Sequence, residues 1–295
     1  GALDKHERTY MLFKRTSASG GSPVLLSYWN ALAQVVRLIG DFTEACDLGE
    51  DALAYGRDQL GVEDPRTLRT QVDLAIARRM SGEIEEALAL GQDAHSRYLR
   101  LYGIHHPSTL AAAMCLANLW RMTGELAGAL ELAEDTDVRY AQAYGHDHPY
   151  KHGCAGNVAL LYRLSGDPAR ARSMNESVLT ALEARLGRDH HYTLAAAANL
   201  AGDLAALGEI DDAIRLGRGT LRRYHALLGE EHPSTLACAS NLVLDLRAAG
   251  HTVRAKELAG RTHSSYVRTL GREHPFTGAC EEGRRLVCDF DPPLL

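Results

Sequence analysis

The sequence predicts an all-α fold, an α-α superhelix of 42-residue helix-turn-helix repeats with about six to seven hairpins. Three kinds of residue carry this reading. Gly61, Gly103, Gly145, Gly187, Gly229 and Gly271 each follow the last by 42 residues, and Gly40, Gly82, Gly124, Gly166, Gly208 and Gly250 keep the same interval. Ala45, Ala87, Ala129, Ala171, Ala213 and Ala255 do so too. The prolines Pro23, Pro65, Pro107, Pro149, Pro233 and Pro275 complete the register, with His191 in the one missing place. Four series in one frame, without an insertion, leave no room for chance. A period of this size marks a stacked-repeat architecture.

Each unit reads as two helices. The first starts at the proline, as in 107–123, because a missing N–H costs nothing in the first helical turn. The residue before it is Ser22, Asp64 or one of His106, His148, His190, His232 and His274. Ser and Asp are favoured N-caps, so this slot is read as the cap throughout. Gly124-type positions end the helix, since glycine accepts the positive φ of a C-cap. The second helix follows at once, as in 125–143, with an acidic residue in its first turn that suits the helix dipole. So short a turn makes the pair antiparallel neighbours. The alanine series falls in the first turns of the second helix and lets the pair approach closely. Tyr98, Tyr140, Tyr224 and Tyr266 form a further series on that helix and are expected to pack between repeats.

The same register organises the ends. Residues 1–22 are expected to be a partial preceding repeat, with a second helix over 3–17 and a loop at 19–22. The solenoid is expected over 23–288, closed by a lone first helix at 275–287 that acts as a cap. An irregular tail should occupy 289–295, which contains Pro292-Pro293. No linker or shift in composition divides the middle. The chain opens Gly1-Ala2 without Met, which suggests a fragment of something longer.

Composition narrows the classes of function. The 295 residues are 45% apolar and 24% charged, with a formal net charge of −6. General attraction to nucleic acid or an anionic membrane is therefore not expected. No run of ~18 apolar residues is present to span a membrane. Cys46, Cys115, Cys154, Cys238, Cys280 and Cys288 form no C-x-x-C pair. They read as reduced, mostly buried thiols, and the expected location is cytoplasmic.

The pattern G-x-x-H-P-x-T-L … N-L-A … G-x-x-x-x-A stands as Gly229, His232, Pro233, Thr235, Leu236, Asn241, Leu242, Gly250 and Ala255. It stands again, with His191 in place of the proline, as Gly187, His190, Thr193, Leu194, Asn199, Leu200, Ala201, Gly208 and Ala213. It resembles tetratricopeptide repeats (TPRs) of the kinesin light chain type, over about residues 23–288, and so implies a TPR solenoid. The fourth unit departs, with Lys151-His152 in place of Thr-Leu, and the last has Gly278 in place of Leu. Such repeats are common in actinobacterial proteins that resemble STAND-type signalling NTPases, where they follow a nucleotide-binding domain. No Walker-type G-x-x-x-x-G-K occurs in this chain. The run from Cys288 to Pro293 is similar to the end of the TPR protein of actinobacterial FxSxx-COOH peptide systems.

The resemblance implies that the first helix of each unit lines a concave groove. Its twelfth groove slot, counted from the residue after the threonine, holds Arg37, Arg79, Arg121, Arg163, Ala205 and Arg247. Like charges ~10 Å apart in water repel by only ~0.4 kcal/mol, so an arginine ladder is tolerable without a ligand. It would still attract carboxylate or phosphate. The alternative is structural, with the arginines paired to acids on an adjacent helix such as Asp73 or Asp203. The sixth slot holds Asn157, Asn199 and Asn241, after Asp73 and Cys115 in earlier units; Asn30, Gln34 and Asn118 stand in neighbouring slots. An amide offers a donor and an acceptor, which matches an extended peptide backbone. In related proteins this asparagine contacts peptide backbone; its structural alternative is a capping or inter-helix hydrogen bond. Gly153, Gly156, Ala195, Ala198 and Gly202 are expected to leave the middle of the groove open.

No G-x-S-x-G and no H-E-x-x-H is present, so no enzyme activity is expected. His146, His148 and His152 span a helix start with no Cys or carboxylate set to complete a site, so neither metal nor cofactor is expected. Taken together, these features predict a non-catalytic scaffold that captures an extended peptide, acidic or carrying a free C-terminal carboxylate. The expected contacts are Arg37, Arg79, Arg121, Arg163, Arg247, Asn118, Asn157, Asn199 and Asn241. The alternative is a regulatory or sensor arm of a larger STAND-type NTPase.

Overall fold

The computed structural model describes residues 23–293. The partial repeat expected over 1–22 and the last two residues of the tail lie outside them. Among the described residues there are thirteen helices and no strand. They form two compact units, one running to Leu119 and the other from Trp120 to Pro293. The first holds α1 (Pro23–Leu38), α2 (Phe42–Gln59), α3 (Pro65–Ser81), α4 (Ile84–Tyr102) and most of α5 (Pro107–Thr123). The second holds α6 (Leu126–Tyr144), α7 (Pro149–Leu164), α8 (Pro168–Leu186), α9 (His191–Ala206), α10 (Ile210–Leu228), α11 (Pro233–Ala248), α12 (Thr252–Thr269) and α13 (Pro275–Glu282). Within the second unit successive helices pack pairwise, and α7, α9 and α11 also touch in turn.

The helix starts follow from the sequence. His148, His190, His232 and His274 each stand in extended backbone just before a helix. In each, Nδ1 accepts the backbone N–H two residues on, at 3.1 Å. An imidazole here does the work of an Asp or Ser cap, as Asp64 does ahead of α3. The six repeated alanines from Ala45 to Ala255 are each 0–1% exposed, so no larger side chain fits where the paired helices meet. Tyr98, Tyr140, Tyr224 and Tyr266 are equally buried, and the Tyr98 hydroxyl donates to the Pro65 carbonyl at 3.1 Å. In the first unit Leu25, Leu26, Trp29 and Leu53 share one apolar cluster. In the second, Leu194, Ile214, Leu242 and Leu246 share another.

The final element departs from expectation. The helix expected to reach Val287 stops at Glu282. Gly283 follows at φ +70°, a left-handed conformation that glycine adopts without a Cβ penalty. Beyond it the chain runs without regular structure to Pro293. Continuing the helix would tie up the backbone groups of 284–287 internally. Instead the Arg284 N–H closes the helix end on the Ala279 carbonyl, and the backbone groups of Leu286 turn to a side chain of another helix, described below.

The His148 cap predicts a pH response. Burial holds the His148 imidazole below its ordinary value of 6.5. A depressed folded-state value means its stabilisation is present above about pH 6.5 and is lost as pH falls, because protonated Nδ1 can no longer accept. The melting temperature should drop between about pH 7.5 and 5.5, and His148→Asn, a cap that does not titrate there, should reduce that drop by about 2–4 °C. An unchanged slope in the variant would remove His148 as the titrating cap.

Candidate functional site

Asn157, Asn199 and Asn241 sit at one position on α7, α9 and α11, and are 2%, 5% and 7% exposed. Each holds one residue of the chain's own C-terminal segment by two hydrogen bonds. Asn241 Nδ2 donates to the Leu286 carbonyl at 2.7 Å, and the Leu286 N–H donates to Asn241 Oδ1 at 2.8 Å. Asn199 makes the same pair with Cys288, at 2.7 and 3.1 Å. Asn157 makes it with Phe290, at 2.7 and 2.9 Å. The segment thus crosses three repeats in reverse order, advancing two residues per repeat.

The two-residue step has a physical basis. In extended backbone the N–H and C=O of one residue point to the same side, and that side recurs every second residue. A side-chain amide can then satisfy both groups at once. Two extended residues cover ~6.7 Å, against ~8–10 Å between packed helix axes, and the asparagine side chain spans the difference. Pro292, at the next step, has no N–H to offer.

Side chains fix the register. Arg121 Nη2 reaches both carboxylate oxygens of Asp289 at 2.9 and 2.8 Å, and each of these side chains is only 9% exposed. Phe290 is 6% exposed, stands edge-on to Tyr192 at 4.8 Å and lies 6.0 Å from Tyr150. It fills the place of a missing side chain, since a Cβ on Gly153 would overlap its ring. Arg285 pairs with Asp245 of α11. Cys288 lies near Tyr224, Arg163 and Asp289, and burial pushes its thiol up to about 12.

This geometry and the repeat register agree with the family comparison. Models described as tetratricopeptide repeat match residues 24–100 and 154–218, and residues 109–150 and 235–276. The chain belongs to the tetratricopeptide repeat family. Its TPRs are similar to those of a Podosopora anserina kinesin light chain with nearly identical TPR-like repeats: 27% identity, a TM-score of 0.53, 68% of this chain and 95% of that one. NprR in complex with its cognate peptide NprX has a similar fold, with a TM-score of 0.66 at 14% identity over 95% of this chain and 77% of that one. So does a Signal Transduction ATPase with Numerous Domains (STAND) with a tetratricopeptide repeat sensor from Pyrococcus horikoshii, at a TM-score of 0.57 and 14% identity. That match covers 95% of this chain and 41% of the STAND protein. No curated protein matches the sequence.

Within this TPR array the nine residues singled out from the sequence fall into different settings. The three asparagines of the second unit and Arg121 converge on the C-terminal segment. Arg163 instead donates to Asp203 Oδ1 and to the Asn199 carbonyl, each at 2.7 Å. Asn175 donates to the other Asp203 oxygen at 2.6 Å. Burial pushes Asp203 above the ordinary carboxyl value, and Arg163 and Asn175 oppose it. Arg163 therefore braces α7 against α9. Its guanidinium lies against Gly202, which was expected to leave the groove open. Arg247 is exposed beside Lys256, His263 and Glu281. In the first unit Arg79 and Asn118 are each 2% exposed. Arg37 is half-buried at a small depression with Asn30, Gln34 and Asp73, where Gln34 donates to Asp73 at 2.8 Å. Within the second unit Arg121, Arg163 and Arg247 thus stand in three different settings.

Open space at Gly153 is expected from the sequence; that residues 286–290 line the groove and Phe290 takes that space is not. The alternation of Leu286, Cys288 and Phe290, two apart like the steps of an extended chain, was the available signal. Among the described residues no group of three or more His, Cys, Asp or Glu could hold a metal ion, and no helix is long and apolar enough to cross a membrane.

The seated segment should protect its cysteine. At about pH 8 iodoacetamide should alkylate Cys288 at least ~10-fold more slowly than the same cysteine in a free peptide, since only thiolate reacts. A raised folded-state value means this protection holds below the ordinary thiol value of 9.0 and fades as pH rises toward about 12. Mass spectrometry of the labelled site checks this, and equal rates would show that the thiol is not held in the groove.

Proposed function

We propose that this TPR protein is a non-catalytic scaffold that captures an extended acidic peptide in the groove across α7, α9 and α11. One observation carries the reading. Three asparagines in register satisfy both backbone groups of every second residue of an extended chain. That contact reads backbone and so accepts many sequences. Arg121 adds a preference for a carboxylate, here the Asp289 side chain. The acid it meets is an internal residue, which favours an acidic peptide over capture of a terminal carboxylate. NprR, of similar fold, holds its cognate peptide NprX. Six free cysteines fit a reducing compartment, in keeping with a cytoplasmic location.

A second reading places the same groove in a sensor arm of a larger signalling NTPase. The likeness to the tetratricopeptide sensor of a STAND protein supports it. The two readings share the site and differ only in what the bound peptide reports to.

The test is a titration with a fluorescein-labelled peptide of residues 284–293, with Ser at the cysteine. It uses the full chain carrying Phe290→Ala, which loosens the resident segment. Adding Asn199→Ala and Asn241→Ala removes four backbone hydrogen bonds. Each unpaired buried group costs ~1–3 kcal/mol, so the Kd should rise at least ~10-fold. Free-acid and amidated peptides should bind alike. Affinity untouched by the two asparagine changes would exclude this groove as the site.

A further inference from the structure

The groove is already full. Residues 286–290 use all three asparagines, Arg121 and the hole at Gly153, so nothing else binds there until they leave. We propose that the segment following Gly283 is an intramolecular occupant that the true ligand must displace. The ligand that does so carries an aromatic side chain for the Gly153 hole, preceded directly by a carboxylate for Arg121. This inference rests on the reading of the groove as a peptide site and specifies its regulation and its ligand class.

Three features argue for a displaceable occupant rather than a permanent part of the core. First, the segment adds no helix and no strand; its backbone is held by side-chain amides in the manner of a bound peptide. Second, Gly283 breaks α13 directly ahead of it, so the segment swings on a left-handed glycine and can leave without unfolding a helix. Third, Arg284 is exposed and most of the segment is half-buried, with burial confined to the Asp289 side chain, Phe290 and Pro292. Its docking is concentrated in one aromatic ring, two ion pairs (Asp289 with Arg121, Arg285 with Asp245) and three backbone pairs.

The hole at Gly153 gives the ligand its most selective requirement. The equivalent place in the neighbouring units is alanine, at Ala111, Ala195 and Ala237. Only the fourth unit lacks the Cβ, and there the Phe290 ring sits, between Tyr150 and Tyr192. One repeat therefore accepts an aromatic side chain that its neighbours would refuse. The asparagine ladder sets the spacing, and Arg121 sets the charge one residue earlier.

The tether sets the scale of the effect. A short flexible linkage supplies an effective concentration on the order of 1 mM, so a free peptide of ~10 µM intrinsic affinity would be held back about 100-fold. Weakening the resident segment should release most of that factor.

The experiment uses the full chain as wild type, Phe290→Ala and Gly153→Ala. The probe is the labelled 284–293 peptide, together with versions in which its Phe is Ala or its first Asp is Asn. The Phe290→Ala chain should bind the parent peptide at least ~10-fold more tightly than wild type. Either peptide change should cost it most of that affinity. The parent peptide should also accelerate Cys288 alkylation in wild type, because displacement exposes the thiol. Gly153→Ala, a change that favours the helix, should fill the hole, speed Cys288 alkylation without any peptide and abolish the preference for Phe over Ala. If wild type and Phe290→Ala bind the peptide equally and Cys288 alkylation does not change, the segment is no competitor and this inference falls while the groove reading stands. If no peptide binds any form of the chain, the groove reading falls with it.

Discussion

Every residue of an extended chain carries an N–H and a C=O that must find partners once buried, and a groove made of helices has few backbone groups to lend. That constraint governs the second unit. Helices spend their own backbone groups on themselves, so partners for a guest chain must come from side chains. Asn157, Asn199 and Asn241 supply them from equivalent positions. Because one amide serves one residue in both directions, the guest is held straight, with alternate residues facing alternate ways. The two-residue step follows from this arrangement.

Charge plays a second and less uniform part. Arginine recurs at one slot, yet its surroundings give it different work. Arg163 has Asp203 within reach on the next first helix, and both are removed from water, so the pair is kept for bracing. Burying two charges is tolerable only where hydrogen bonds satisfy the remaining atoms, and Asn175 and the Asn199 carbonyl do that here. Arg121 instead takes the carboxylate of Asp289, a partner from outside the repeats. A charge paired to a segment that can leave is not stranded when it goes, because water returns with the opened groove. That difference separates an ion pair between two repeat helices from one between a repeat helix and the C-terminal segment, although the two arginines occupy the same slot.

Gly153 and Gly202 show how similar residues diverge in the same way. Both are glycines on the groove side of a first helix. Gly202 lies under the Arg163 guanidinium, and Gly153 lies under Phe290. Neither is open space. One accommodates the scaffold's own bracing, the other an aromatic ring, and only neighbours distant in sequence decide which.

The sequence by itself determined the fold class, the register of the helices and their capping residues. These depend on local periodicity, on proline and glycine backbone limits and on small side chains at 42-residue intervals. It also marked the slots of the asparagines and arginines. What those slots hold was decided by tertiary structure alone. Residues 284–287 carry no strong helix breaker, and read locally they continue α13. Gly283 ends the helix because three amides, up to 133 residues away in sequence, satisfy the segment's backbone better placed across the groove than coiled on itself. Contacts of that separation leave only a weak trace, the alternation of Leu286, Cys288 and Phe290, which does not say where an extended chain would lie, and for that reason the scaffold was legible in the sequence while the occupant of its groove was not.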